Sequence, residues 1–311
     1  MSGEQPTLTT DGSRRSLKES AIKAALFGCA ALSILVTGGI ILTLGIDAIE
    51  FFTRVSPVDF FTGTEWSPVI KPYSYGVLPL ILNTLLVTVL SALIALPVGL
   101  AAAIYLSEYA SDRMRSIIKP GLEILAGIPT VVYGYFALVY ITPFIDDYLF
   151  QVSTFNALSA SIMVGVMIIP MVASISEDAL SAVPDELRQA GYGMGATKFE
   201  VSTGVVVPAA VSGIFSSFIL GISRAIGETM IVVVAAGQSA KMIYPGNIDE
   251  VVVSSIETMT VAMVKLVTGE LSADATQYKA MFAIGLTLFA MTFALNLASS
   301  LIEMRYREEY K

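Results

Sequence analysis

Long uncharged stretches separated by short polar intervals organise this chain, and nearly all of its charge sits in the intervals. Lys23 and Asp47 bracket 23 uncharged residues, Glu123 and Asp146 bracket 22, and Lys279 and Glu303 bracket 23. Each is enough for the roughly 20 helical residues that cross a bilayer. Lys71 to Glu108 brackets 36, so the beginning of that stretch, with Pro72, Gly76 and Pro79, belongs to a loop. Asp147 to Glu177 brackets 29, and its later part is a fourth span. A fifth starts near Pro208. The first apolar run exceeds the roughly 7–15 residues of a signal-peptide core and is read as an uncleaved span. The pattern therefore predicts an all-α integral membrane protein with six spans, at about 24–46, 77–106, 121–145, 156–177, 208–236 and 278–303. Residues 1–19 form a polar tail, disordered in part, and 20–311 a single transmembrane domain. Ile128-Pro129 is expected to break or kink the third span. Asn83, Thr84, Thr88 and Ser91 should turn a polar face of the second span inward.

Charge sets the orientation. The tail, the connectors after the second and fourth spans and the C-terminus hold twelve of the eighteen basic residues, among them Arg14, Arg113, Arg188 and Arg305. The other face holds five: Arg54, Lys71, Lys241, Lys265 and Lys279. The excess places both termini and the 184–207 loop in the cytoplasm, and loops 47–76 and 238–276 outside. Phe51, Phe52, Phe60, Phe61 and Trp66 suit an interfacial segment on that outer side.

Composition changes the picture by exclusion. The chain is 55% hydrophobic and 14% charged, with no histidine and one cysteine, Cys29. Histidine catalysis, histidine metal sites and an internal disulfide are ruled out. No G-x-x-x-x-G-K-[ST] loop is present, so the chain should not hydrolyse nucleotide. A net charge of −8, without an aromatic-interleaved basic patch, speaks against nucleic acid as a partner.

The longest patterned polar interval runs from Pro184 to Pro208. Pro184 can open a short helix with Asp185 and Glu186 in its first turn, where the helix dipole favours acids. Gly191, Gly193 and Gly195 interrupt it. Thr197 and Glu200 form a T-x-x-E capping box that restarts a helix running to Pro208. Two helices hinged on glycine between apolar spans suggest a docking surface. The interval resembles the cytoplasmic loop of ABC importer permeases, E-A-A, three residues, G, nine residues, I-x-L-P. Gln189, Ala190 and Gly191 fall on E-A-A, Gly195 on the glycine, and Val205, Val207 and Pro208 on I-x-L-P. Gln189 and Gly191 depart from the family pattern.

Three further stretches extend the likeness. Glu123 to Tyr135 and Gly221 to Met230 look like the third- and fifth-span signatures of phosphate-specific permeases, and Phe60 to Pro68 is similar to the outer loop of the PstC branch rather than PstA. The resemblance implies a type I importer permease of the methionine-permease-like fold, needing no cofactor. It implies a heterodimer with a PstA-like permease, two PstB-like ATPases, an external phosphate-binding protein and, as substrate, inorganic phosphate. Membrane lipid surrounds the spans. ATP binding by the partners would move the docking loop and open a cavity by alternating access.

On residue chemistry alone, Gly213, Ser217, Gly221, Arg224 and Glu228 step along one helix face. Arg224 can offer a planar fork to a tetrahedral oxyanion, and Glu228 can hold it. Ser217 and Gly221 would line the same substrate path. A purely structural Arg224–Glu228 pair fits the same spacing. Sulfate or molybdate is an alternative substrate class, and a stand-alone secondary transporter or a membrane scaffold are alternative protein classes.

Overall fold

A computed structural model describes residues 12–269 and 275–306. The part of the polar tail before residue 12, Glu270 and Asp274 of the outer loop, and the terminal bases Arg307 and Lys311 lie outside the described residues. Helices follow in the order α1 Gly12–Arg54, α2 Pro57–Thr62, α3 Leu78–Ile104, α4 Asp112–Gly127, α5 Thr130–Phe136, α6 Thr142–Tyr148 and α7 Ala157–Ser181. After these come α8 Asp185–Gly193, α9 Lys198–Val201, α10 Val207–Ala209, α11 Val211–Gly227, α12 Met230–Ala235, α13 Ile248–Val252, α14 Met259–Thr268 and α15 Thr276–Tyr306. A two-residue antiparallel ladder, β1 Trp66–Ser67 with β2 Ser74–Tyr75, closes the loop before α3.

Among the described residues, 19–54, 78–109, 157–181 and 276–301 are each long and apolar enough to cross a membrane. Two bent pairs, α4 with α5–α6 at 90° and α9–α10 with α11 at 71°, bring the number to six if each pair counts as one span. The first bend falls at Ile128-Pro129, where proline lacks a donor and disfavours helix in the residue before it. Tyr133 Oη donates to Leu125 O at 2.7 Å across it, so this tyrosine fastens the bend.

Several boundaries differ from the sequence expectation. α1 runs on to Arg54, so the first part of the expected 47–76 loop is helix; Lys279 of α15 pairs with Asp47 at 3.2 Å and with Glu50 there. The connector at 111–120 is also helical, because Ser111 Oγ accepts the Met114 N–H at 3.4 Å and caps α4. The fifth span does not begin at Pro208: α9 continues through a π-helical turn, Ser202–Val206, into α10, and the chain bends at Ala210. It also stops early, as α11 ends at Gly227.

The core forms where α3 and α7 lie against each other. Gly99 makes the approach possible, since a Cβ there would stand 2.8 Å from Val172 Cβ, and small residues let helices in a bilayer pack closely. The polar face of α3 does turn inward: Asn83, Thr84, Thr88 and Ser91 are buried. Thr84, Thr88 and Ser91 return their hydroxyls to carbonyls one turn back. Asn83 Nδ2 donates to Glu257 O at 3.2 Å, and Met259 N–H donates to Thr84 Oγ1 at 3.0 Å. These bonds draw α14 out of the expected surface loop; Met259, Ala262 and Leu266 are buried beside α15 and the start of α3. The aromatic residues near the outer loop form a second cluster, with Phe51 and Phe60 fully buried and edge-on at 5.4 Å.

Candidate functional site

Two regions carry the candidate chemistry, the helical hairpin at 184–207 and a cavity between α4, α7 and α11. In the hairpin, Pro184 precedes α8 as its N-cap, and Asp185 and Glu186 occupy the first turn. Gly191 and Gly193 lie within α8; only Gly195 breaks it, with φ +85°. Gly195 N–H donates to Tyr192 O at 3.0 Å and Ala196 N–H to Gly191 O at 3.2 Å. This crossed pair ends a helix on a left-handed residue and satisfies carbonyls the helix leaves free. Gly191 serves a close approach instead. A Cβ there would stand 2.9 Å from Val201 Cγ2, so its lack of a side chain lets α9 fold back on α8.

The capping box is present. Thr197 N–H donates to Glu200 Oε2 at 2.7 Å, and Glu200 N–H donates to Thr197 Oγ1 at 3.4 Å. The backbone N–H of Thr197, then its hydroxyl, hold the Glu200 carboxyl below its usual range. Gln189 and Ala190 are exposed on α8. Beside them Met194 is 83% and Phe199 68% exposed, and apolar side chains so open on a polar hairpin mark a protein contact. Pro208 lies in α10, after the hairpin.

The cavity, of about 310 Å³, opens between α4, α7 and α11. Its wall is largely apolar, including Met167, Pro170 and Met171, with Lys119, Glu123, Glu177 and Arg224 as its charged members. Lys119 Nζ lies 2.6 Å from Glu177 Oε2, so these two largely neutralise each other. Arg224 is exposed, lines the cavity and has no hydrogen-bond or ion-pair partner among the described residues.

The rest of the expected stripe separates from Arg224. Ser217 and Gly221 are buried in the α7–α11 seam instead of lining the cavity: Ser217 Oγ lies 2.7 Å from Ser176 Oγ, and a Cβ on Gly221 would meet Ile168 and Val172 at 3.0 Å. Arg224, three residues further, is rotated about 60° from that seam and reaches the cavity. Glu228 is beyond the end of α11 in extended backbone, so the i, i+4 pairing does not form. Its carboxylate accepts the Ile231 N–H at 3.1 Å, and its main-chain oxygen accepts Thr260 Oγ1 at 3.0 Å. Glu228 therefore holds the start of α12 and the α14 segment.

Against known proteins, residues 95–308 match the family described as binding-protein-dependent transport system inner membrane component. The chain is 33% identical to the probable ABC transporter permease protein YqgH of Bacillus subtilis, over 92% of this chain and 91% of that one. It is 33% identical to the phosphate transport system permease protein PstC of Xylella fastidiosa, over 81% and 80%. Among solved structures, an inward-facing methionine ABC transporter, MetNI, aligns with a TM-score of 0.53 at 18% identity, covering 75% of this chain and 95% of that one.

Proposed function

This chain belongs to the family of binding-protein-dependent transport system inner membrane components, a multi-pass inner-membrane protein with the type I ABC importer permease fold, and we propose that it is the PstC-like subunit of a phosphate importer. Its partners in this reading are a PstA-like permease, two PstB-like ATPases that hydrolyse the ATP, and an external phosphate-binding protein. The likeness to PstC proteins supports the substrate. The observation that carries the site is the Arg224 guanidinium, which lines the cavity and is unpartnered among the described residues, while Lys119 there is paired with Glu177. An arginine fork suits the oxygens of a tetrahedral anion. The hairpin at 184–207, with Gln189, Ala190, Gly191 and Gly195, is the ATPase contact, and Thr197 and Glu200 set the direction of its second helix. Pro208 follows, on the way to the bend that turns the chain into α11.

Uptake of labelled phosphate by the reconstituted four-component complex tests the substrate, with unlabelled sulfate and molybdate as competitors. Inhibition by phosphate alone is the expected result; equal inhibition by sulfate or molybdate would overturn the assignment. The orientation is tested separately, in a Cys29→Ser background. Cysteine at Thr62 should react with an impermeant thiol reagent in intact cells, and cysteine at Ser111 or Met194 only after the inner face is opened. The reverse labelling would remove the hairpin from the reach of any ATPase.

A further inference from the structure

We propose that Glu108 and Arg188 form a clasp that carries displacement of the docking helix into α3, a span with no direct chain connection to the hairpin. The inference rests on α8 being the ATPase contact and is independent of which anion is carried. α8 is tied by sequence to α7 on one side and, through α9 and α10, to α11 on the other. α3 can follow its motion only through side chains. Arg188, on α8, supplies the link: its Nη2 and Nε donate to Glu108 Oε1 at 3.0 and 3.3 Å. The same guanidinium donates to Leu180 O at 2.8 Å, Val183 O at 2.5 Å and Asp185 Oδ1 at 3.2 Å. One side chain thus joins the ends of α3, α7 and α8.

The end of α3 is shaped for this bond. Ala95, Gly99 and Ala103 face inward at four-residue steps. Glu108 follows Ala103 after five, a step that the π-helical turn Tyr105–Tyr109 accommodates. Carbonyls at this turn are held by Arg115 of α4, which donates to Leu106 O at 2.6 Å and Ser107 O at 3.2 Å. Lys198 of α9 lies 5.1 Å from the Tyr109 ring centroid. The Glu108 side chain is 4% and that of Arg188 15% exposed. A pair so buried is a poor source of stability, since desolvation offsets most of its attraction, but it enforces one geometry. Here that geometry makes α3 and α8 one body.

The test uses the complete reconstituted complex with spin labels at Ala101 on α3 and Glu186 on α8, in a Cys29→Ser background, with and without trapped ATP. With the clasp intact the α3–α8 distance distribution should be the same in both states. Glu108→Gln leaves Arg188 its carbonyl partners and Asp185, so assembly should survive. In that variant the ATP-bound distribution should broaden about twofold, with uptake down about tenfold and ATP hydrolysis within about twofold of the parent. Glu108→Asp, which keeps the charge, should recover most of the uptake. Unchanged distances in Glu108→Gln would overturn the clasp, whatever happens to uptake. So would failure of both variants to assemble, which would make the pair a folding element. A parent complex that moves no phosphate would sink the substrate assignment, leaving the distance measurement to judge the clasp.

Discussion

Replacing Gly195 with leucine is expected to cut phosphate uptake about tenfold while the chain still inserts and joins its partners. The reason is the backbone. Gly195 sits at φ +85° with no atom within 4 Å of where a Cβ would project, so bulk itself is not the obstacle. A left-handed conformation costs an L-residue roughly 1–2 kcal/mol, a shift of about 5–30-fold in a two-state population. Relief requires rotating Gly195, and that breaks the bonds from Gly195 N–H to Tyr192 O and from Ala196 N–H to Gly191 O. α9 would then leave α8, and the exposed Met194 and Phe199 would no longer form one surface. Asparagine tolerates the left-handed region better than other side chains, so Gly195→Asn should keep most of the activity. Uptake and ATP hydrolysis measured together decide the matter. Normal coupled uptake by the leucine variant would show that the left-handed turn is not needed.

Features governed by near neighbours along the chain are legible from the residues alone. The Thr197–Glu200 box spans four residues, the Ile128-Pro129 break follows from proline chemistry, and the inward face of α3 follows from polar residues in an apolar run. The end of α11 was not legible. Nothing between Gly221 and Ala235 is a proline, and the helical stripe continues through Glu228. Two bonds mark the break: the Glu228 carboxylate takes the Ile231 N–H three residues on, and its carbonyl takes the Thr260 hydroxyl, a tertiary contact thirty-two residues away. α14 escaped for a related reason. Ten residues are too few for a span, and its burial depends on hydrogen bonds from Asn83 and to Thr84, more than 170 positions upstream. The Arg188–Glu108 bond joins residues 80 apart, so within the docking interval itself Arg188 is only one charge among several.

The site turns on Arg224, and its replacement by glutamine should abolish most uptake while leaving complex yield intact. Losing one partner of a charge-assisted contact costs roughly 2–5 kcal/mol, which predicts a fall in uptake of about thirtyfold or more. Lysine should restore little, because a point ammonium cannot reproduce the planar fork. Glu228 provides the control. If the two residues were a structural pair, Arg224→Gln would strand a buried carboxylate and impair assembly, and adding Glu228→Gln would restore it. The observed geometry predicts otherwise. Glu228 has its own hydrogen bond to the start of α12, and Arg224 points to the cavity. Glu228→Gln should therefore lower the complex's thermal stability by itself, and the double variant should combine both defects, since residues without a shared contact act nearly additively. Recovery of uptake in the double variant would defeat the anion-contact role. Assembled but inactive Arg224→Gln complexes, unrescued by the second change, are the expected result, because the guanidinium they lack is one that no described residue of this chain pairs with.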